Sequence, residues 1–136
     1  MAVEWVAEWA RNTHQEQAAL FRWADFAAAR WPELALLYAI PNGGHRHKAV
    51  AARMKAEGVK RGVPDLCLPV PRGNHHGLYV ELKTADGSAS QAQQQWLKAL
   101  HRQGYRVAVC RGWEAARAFI EDYQTSGAGA GRRRTH

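Results

Sequence analysis

The sequence predicts an α/β fold in which helices flank a small mixed β-sheet. With 136 residues, of which 46% are hydrophobic and 23% charged, the chain suits one globular domain with one core. Two short apolar runs, residues 65–70 and 78–83, are separated by a turn that contains Pro-Arg-Gly-Asn, which indicates an antiparallel hairpin. Stretches with helical spacing of apolar residues precede and follow this hairpin.

The first half of the chain predicts two helices and a strand. Residues 13–30 carry apolar side chains at helical spacing, and the Trp-Pro pair at residues 31–32 marks the end of that helix. Residues 34–40 form a short apolar run that leads into a Pro-Asn-Gly-Gly turn, as expected of a strand. Residues 45–57 are rich in alanine and basic residues and precede Gly58, so they predict a second helix.

The second half completes the fold after the hairpin. Residues 90–103 predict an amphipathic helix, residues 105–110 a further strand, and residues 113–123 a last helix. The remaining composition, dominated by Gly, Ala and Arg, predicts a disordered basic tail at residues 124–136 after a folded domain at residues 1–123. The predicted order is helix, strand, helix, strand, strand, helix, strand, helix.

The charge of the chain indicates a polyanionic partner. Nineteen Lys and Arg against twelve Asp and Glu give a formal charge of +7 and a pI near 9.9. No run approaches the roughly 18 apolar residues of a membrane span, and a signal-peptide layout is missing, so we expect a soluble, cytoplasmic protein with no membrane partner. Cys67 and Cys110 lie in apolar runs without CxxC spacing, and we expect them to be buried thiols.

Two carboxylates and a lysine fall on the predicted hairpin. Side chains alternate between the faces of a strand, so Glu81 and Lys83 project together. If the hairpin is centred near residues 73–74, paired residue numbers sum to about 148, which sets Asp65 near Lys83 and Cys67 near Glu81. Asp65 is then within reach of the face that carries Glu81 and Lys83.

This constellation predicts a hydrolytic metal site. Converging carboxylates repel each other unless a cation lies between them, and hard oxygen ligands suit Mg²⁺ or Mn²⁺. The metal would polarise a phosphodiester and acidify a bound water, while Lys83 orients that water or offsets charge on the phosphate. In the structural alternative, Asp65 is a turn residue after Pro64, and Glu81 and Lys83 form the solvated face of an edge strand.

Glu16 and Gln93 are further candidates, each with a structural alternative. Glu16 shares the core-facing stripe of the first helix, where a carboxylate is costly unless it is paired or binds metal. A glutamate in the first turn is equally favoured by the helix dipole. Gln93 stands at capping-box spacing from Ser90, but it also lies in line with the apolar face of its helix and could face the site from there.

A basic segment directly before Asp65 predicts a phosphate-binding surface. The glycines of the turn at residues 41–44 would let backbone amides approach a phosphate, and the following helix has few balancing acids. The residues that we expect to contact nucleic acid are Asn42, Gly43, Gly44, Arg46, Lys48, Arg53, Lys55, Lys60 and Arg61. The alternative for this segment is an ordinary solvated helix face. The histidine pairs lack a partner cluster at zinc-finger spacing, so we do not expect structural zinc.

The order and spacing of these motifs resemble the VRR-NUC family, the virus-type replication-repair nuclease domain of the PD-(D/E)XK superfamily. The matching segments are Pro-Asn-Gly-Gly-His-Arg at residues 41–46, Gly-Val-Lys-Arg-Gly-Val-Pro-Asp-Leu at residues 58–66, Glu-Leu-Lys at residues 81–83, and Ser-Gln-Ala-Gln at residues 90–93 before Trp96. The resemblance covers residues 13–123, approximately the whole predicted domain.

The resemblance implies a restriction-endonuclease-like fold and hydrolysis of DNA phosphodiesters with Mg²⁺ or Mn²⁺. The residues that it implicates in catalysis are Asp65, Glu81, Lys83, Glu16 and Gln93, and those that it implicates as metal ligands are Glu16, Asp65, Glu81 and the backbone carbonyl of Leu82. Stand-alone members of this size, found in bacteria and phages, resemble structure-specific endonucleases that act as homodimers on four-way (Holliday) junctions. A DNA-repair or resolvase role is therefore expected.

Two alternative functions stay open on the sequence alone. One is a non-catalytic nucleic-acid-binding module that uses the same basic surface, with the carboxylates and the lysine merely structural. The other is a general or restriction-type nicking nuclease that does not require branched DNA.

Overall fold

The computed structural model describes residues 12–41 and 47–134, with side chains as far as residue 126. The helices are α1 (Thr13–Ala27), α2 (Lys48–Ala56), α3 (Gln91–Arg102) and α4 (Trp113–Arg134), and the strands are β1 (Tyr38–Ala39), β2 (Leu66–Leu68), β3 (Leu78–Lys83) and β4 (Arg106–Arg111). A 3₁₀-helix, Pro32–Leu36, lies between α1 and β1. The predicted order of helices and strands is confirmed.

The four strands form one mixed sheet in the order β1-β2-β3-β4. The β1–β2 and β2–β3 pairs are antiparallel, and the β3–β4 pair is parallel. Parallel neighbours need a long crossover, and α3 provides it between β3 and β4. The α/β class and the mixed sheet are therefore as predicted.

Helices α1 and α4 cover one face of the sheet and form the core with it. Leu78, Val80 and Leu82 are buried on that face because alternate residues of a strand point the same way. They pack with Leu20 of α1 and Ile120 of α4 in one cluster. Within the described residues, no helix is both long and apolar enough to cross a lipid bilayer.

The prediction of a strand over residues 34–40 is wrong for most of that run. The chain instead forms the 3₁₀-helix Pro32–Leu36, and only Tyr38–Ala39 pairs as a strand. Leu34 and Leu37 are the buried residues of this run, and their spacing of three matches one turn of a 3₁₀-helix. A short apolar run does not distinguish strand from helix by its periodicity.

The predicted last helix, residues 113–123, is too short, because α4 continues to Arg134. Gln124 is buried, and its Nε2 donates a 2.8 Å hydrogen bond to Glu33. The Tyr123 hydroxyl donates to the carbonyl of Val70 at 2.6 Å. These tertiary contacts anchor the helix where composition alone predicted its end. The boundary of the domain stays a prediction.

The hairpin forms as predicted, but its register differs by two residues. Cys67 pairs with Tyr79 rather than with Glu81, so paired numbers sum to 146. A shift by two residues leaves every side chain on its predicted face, whereas a shift by one would reverse the faces. The prediction that Asp65 reaches the Glu81 face therefore does not depend on the exact register. Both cysteines are buried, as predicted.

Candidate active site

Glu81 and Lys83 lie together on the sheet face opposite the core, as predicted. The Nζ atom of Lys83 is 3.4 Å from Oε2 of Glu81. Asp65 reaches the same place from the chain just before β2, since its Oδ2 accepts a 2.7 Å hydrogen bond from the backbone N–H of Leu82. The backbone between Glu81 and Lys83 thus fixes the position of the Asp65 carboxylate.

The Glu81 carboxylate is buried, with only 2% of the residue exposed. Its Oε2 accepts a 2.9 Å hydrogen bond from Nε2 of Gln93 and also faces the Lys83 ammonium. Its Oε1 has no hydrogen-bond partner among the described residues. A buried carboxylate oxygen without a donor is costly, so this atom is suited to a cation.

The two carboxyl groups perturb each other's protonation. Burial raises the pKa of Glu81 to about 7, and the negative charge of Asp65 adds to that rise. Burial also raises the pKa of Asp65, although the hydrogen bond from the Leu82 amide opposes this effect. A bound divalent cation favours the charged form of both groups, so cation binding would release a proton from this pair near neutral pH.

Gln93 has both of the roles that the sequence left open. The backbone N–H of Ser90 donates to Oε1 of Gln93 at 2.8 Å, and the N–H of Gln93 donates to the Ser90 hydroxyl at 3.2 Å, which completes a capping box. The opposite end of the same amide, Nε2, donates to Glu81. One side chain therefore fixes both the start of α3 and the orientation of the buried carboxylate.

Glu16 is buried, and its carboxylate lies at the start of α4. Its Oε1 accepts a 2.9 Å hydrogen bond from the backbone N–H of Trp113, the first residue of that helix. A carboxylate in this place is favoured by the helix dipole. In the part of the chain that the structure describes, no three His, Cys, Asp or Glu side chains converge as a metal site. A role for Glu16 as a metal ligand stays a prediction.

The residues predicted to contact nucleic acid divide into two sets. Five of them are exposed, namely Lys48, Arg53, Lys55, Lys60 and Arg61. The other four, namely Asn42, Gly43, Gly44 and Arg46, lie outside the described residues. Helix α2 buries none of its residues, so its cations face solvent on a helix that stands away from the core.

The segment from residue 41 to residue 64, here called the basic excursion, begins and ends beside the carboxylates. At its start, the N–H of Ile40 donates to the carbonyl of Asp65 at 2.7 Å. At its end, Gly62 has a φ of +86° and packs on Ala92, where a Cβ atom would lie 2.8 Å from the backbone carbonyl carbon. Ala92 belongs to the first turn of α3, so the excursion is attached at the same end of the sheet as the site.

Sequence reasoning missed two contributors to the site. His14, exposed in the first turn of α1, is close enough to Asp65 to oppose, by electrostatic interaction, the effect of burial on the pKa of that carboxyl group. A single histidine in a helix gives no sequence signal for such a role. Gly112 has a φ of +90° and lies against Glu16, where a Cβ atom would be 3.3 Å from Oε1. In the sequence, a glycine between the predicted strand at residues 105–110 and the predicted helix at residues 113–123 could have indicated this position.

A family model described as the VRR-NUC domain matches residues 3–114 of the chain. The chain belongs to the VRR-NUC family. A solved structure described as a VRR_NUC domain protein is 27% identical to it, with a TM-score of 0.72 over 86% of this chain and 91% of that one. No curated protein matches the chain. The VRR-NUC chain described here is thus a nuclease-type domain, and its mixed sheet with flanking helices is consistent with the nuclease-like fold of this family.

Proposed function

We propose that this VRR-NUC chain is a DNA endonuclease that hydrolyses phosphodiester bonds with Mg²⁺ or Mn²⁺. The observation that carries the proposal is the pair of half-buried Asp65 and buried Glu81, in which one oxygen of the Glu81 carboxylate has no donor among the described residues. Burial and the charge of Asp65 both disfavour the ionised form of Glu81, which is a cost to the folded protein. A cation bound between the two groups during function would offset this cost.

The residues present fit a hard divalent cation. Mg²⁺ is commonly held by one or two carboxylates, with water and substrate phosphate oxygens as its other ligands. Asp65 and Glu81 would supply the carboxylates, and the family resemblance adds the Leu82 carbonyl and Glu16. When bound, the cation would polarise the phosphodiester and acidify a coordinated water.

Three residues of the chain position the reacting groups around this pair. The Lys83 ammonium, which is 3.4 Å from Glu81 and partly exposed, would orient the attacking water and offset charge on the phosphate. Gln93 holds the Glu81 carboxylate by its side-chain N–H, so that carboxylate does not need to reorganise during the reaction. His14 adds an exposed imidazole on the side of Asp65.

The basic excursion supports DNA as the substrate. Its exposed lysines and arginines provide phosphate contacts that position a strand without reading its sequence. Both ends of the excursion are attached next to the carboxylates, so a phosphodiester held by its cations would lie near Asp65 and Glu81.

A homodimer that cuts four-way junctions is the more specific form of the proposal. It rests on the resemblance to stand-alone members of the family. One site of this size cuts one strand, whereas resolution of a symmetric junction needs two nicks related by a two-fold axis. A two-fold homodimer would supply both sites in that arrangement.

The proposal is tested with labelled four-way junctions, flaps, forks and linear duplexes under a titration of Mg²⁺ or Mn²⁺. We expect metal-dependent cleavage by the native chain and its loss in Lys83→Ala and Asp65→Ala, with DNA binding retained. Lys98→Ala, which removes an exposed lysine from α3, is the matched control and should cut normally.

Each outcome of this panel discriminates between functions. Cleavage of the four-way junction in preference to the duplex supports the resolvase form. Equal cleavage of all substrates would instead support a general nicking nuclease. Binding without cleavage of any substrate at any metal concentration would support the non-catalytic binding module.

A further inference from the structure

An exposed tyrosine stands on the same sheet face as the carboxylates, one row away from them. Tyr38 of β1 pairs with Cys67 of β2, which in turn pairs with Tyr79 of β3. Directly paired residues of antiparallel strands project to the same face, so these three side chains form a row across the sheet. Glu81 lies two residues beyond Tyr79 and therefore occupies the next row on that face.

This row is aromatic and extends across the sheet. The Cys67 thiol contacts the phenol groups of both tyrosines. The Tyr79 ring packs edge-on against Tyr105, with 5.2 Å between ring centroids. Tyr79 is half-buried, whereas Tyr38 at the end of the row has 48% of its surface exposed. The row thus ends in the Tyr38 ring, which is open to solvent.

The distance from Tyr38 to the carboxylates is short on the scale of a DNA strand. Neighbouring strands lie about 4.8 Å apart, and successive residues on one face about 6.7 Å apart, so the backbones of Tyr38 and Asp65 are separated by roughly 8 Å. That is about two base steps of 3.4 Å along one strand of B-DNA. A strand whose phosphate lies at Asp65 and which runs towards β1 would pass over or beside the Tyr38 ring.

We propose that Tyr38 is a stacking platform for an unpaired base next to the scissile phosphate. The substrate class is then DNA with unpaired nucleotides at a branch, because a base inside a duplex cannot offer its face to a side chain. This inference rests on the proposed nuclease function and deepens it. The exposed cations of the basic excursion, attached at this end of the sheet, supply the charge complementarity for such a strand.

A second copy of the chain is the competing occupant of this face. β1 consists of only two residues, which is a poor template for strand pairing between copies. The formal charge of +7 favours a polyanion on an exposed face of the chain. Nucleic acid is favoured over a second copy on both grounds.

The test compares two fluorescent DNAs of equal length in metal-free buffer, so that binding is measured without cleavage. One is a flap with unpaired nucleotides at the branch, and the other is a fully paired duplex. Tyr38→Ala should weaken flap binding about tenfold, within the roughly 5- to 150-fold that corresponds to the loss of one base–aromatic stack. Duplex binding should change less than twofold. Tyr38→Phe, which keeps the ring, should bind the flap like the native chain.

Phe26→Ala is the matched control, because it truncates an aromatic side chain that is 82% exposed on α1, the helix that packs on the opposite face of the sheet. It should leave both affinities unchanged. A 2-aminopurine base placed at the branch should be quenched by the native chain and by Tyr38→Phe, but not by Tyr38→Ala.

The inference is overturned if Tyr38→Ala weakens both DNAs equally or neither of them. It is also overturned if that variant changes the sedimentation coefficient of the free protein, because Tyr38 would then serve a contact between copies. Failure of the nuclease proposal is a different result: no cleavage in metal, with the effect of Tyr38 on flap binding intact.

Discussion

Replacement of Glu81 by glutamine should make the folded protein more stable at alkaline pH while removing its activity. The substitution keeps the size of the side chain and an oxygen acceptor for Gln93, but it removes the buried negative charge. The pKa of Glu81 rises from an ordinary value of 4.5 to about 7 in the folded chain. At about 1.36 kcal/mol per pKa unit, this rise corresponds to roughly 3 kcal/mol.

The sign of the effect follows from the proton affinities of the folded and unfolded chains. A carboxyl group with a raised pKa binds its proton more tightly in the folded chain, so the free energy of unfolding falls as pH increases. For Glu81 the loss begins near pH 4.5 and is complete above about pH 7. Asp65, whose pKa is also raised by burial, adds a loss of the same sign.

The assay is urea unfolding of the native chain and of Glu81→Gln at pH 4, 6 and 8. The two proteins should have similar stability at pH 4, and the variant should be more stable by up to about 3 kcal/mol at pH 8. Glu121→Gln, at an exposed position in a weak pair with Arg117, is the control and should follow the native profile within about 0.5 kcal/mol. Parallel pH profiles for the native chain and Glu81→Gln would refute the reasoning.

Three further changes test how the site is supported. In urea unfolding, Gly62→Ala should lower the free energy of unfolding by about 1–3 kcal/mol more than Gly58→Ala does. Both glycines have a positive φ, but only a Cβ at Gly62 would meet backbone atoms. Equal losses in the two variants would contradict this packing. Glu16→Ala should cost about 1–2 kcal/mol through loss of the acceptor for the Trp113 amide, and Glu16→Gln should restore most of it; no loss in Glu16→Ala would argue against the cap. Lys60→Ala should lower the slope of log affinity for DNA against log salt by about 0.9; an unchanged slope would remove this residue from the interface.

The sheet face of the site was predictable because strand alternation depends on sequence alone. The spacing of Glu81 and Lys83 placed both on one face, and the turn at residues 71–74 brought Asp65 to them. The hairpin register was predicted two residues away from the observed one. The predicted position of Asp65 beside Glu81 was still correct, because a shift of two residues leaves each side chain on the same face of the sheet.

Contacts that join distant parts of the chain were not predictable in the same way. Glu16 bonds to Trp113, which is 97 residues away, and no local pattern indicates that pairing. Just beyond Tyr123, Gln124 is hydrogen-bonded to Glu33 across the fold, which is again a contact between distant parts of the chain. Local propensity favours an end at this point, and tertiary packing overrides it.

Gln93 shows why two local interpretations need not compete. Its position three residues after Ser90 predicted the capping box, and its place on the helix face predicted that it would face the site; both hydrogen bonds are observed. A planar amide has an acceptor at one side and donors at the other, so it satisfies both at once. The sequence contained both signals, and only the structure showed that they coexist.

The central claim is that Asp65 and Glu81 form a divalent-metal site, and calorimetric titration with Mn²⁺ tests it most directly. The native chain should bind Mn²⁺ at pH 8. At pH 7, close to the pKa of Glu81, binding should also release protons from the carboxyl pair. Asp65→Asn and Glu81→Gln should lose binding, whereas Lys98→Ala should retain it. Undiminished Mn²⁺ binding in both carboxylate variants would contradict the claim.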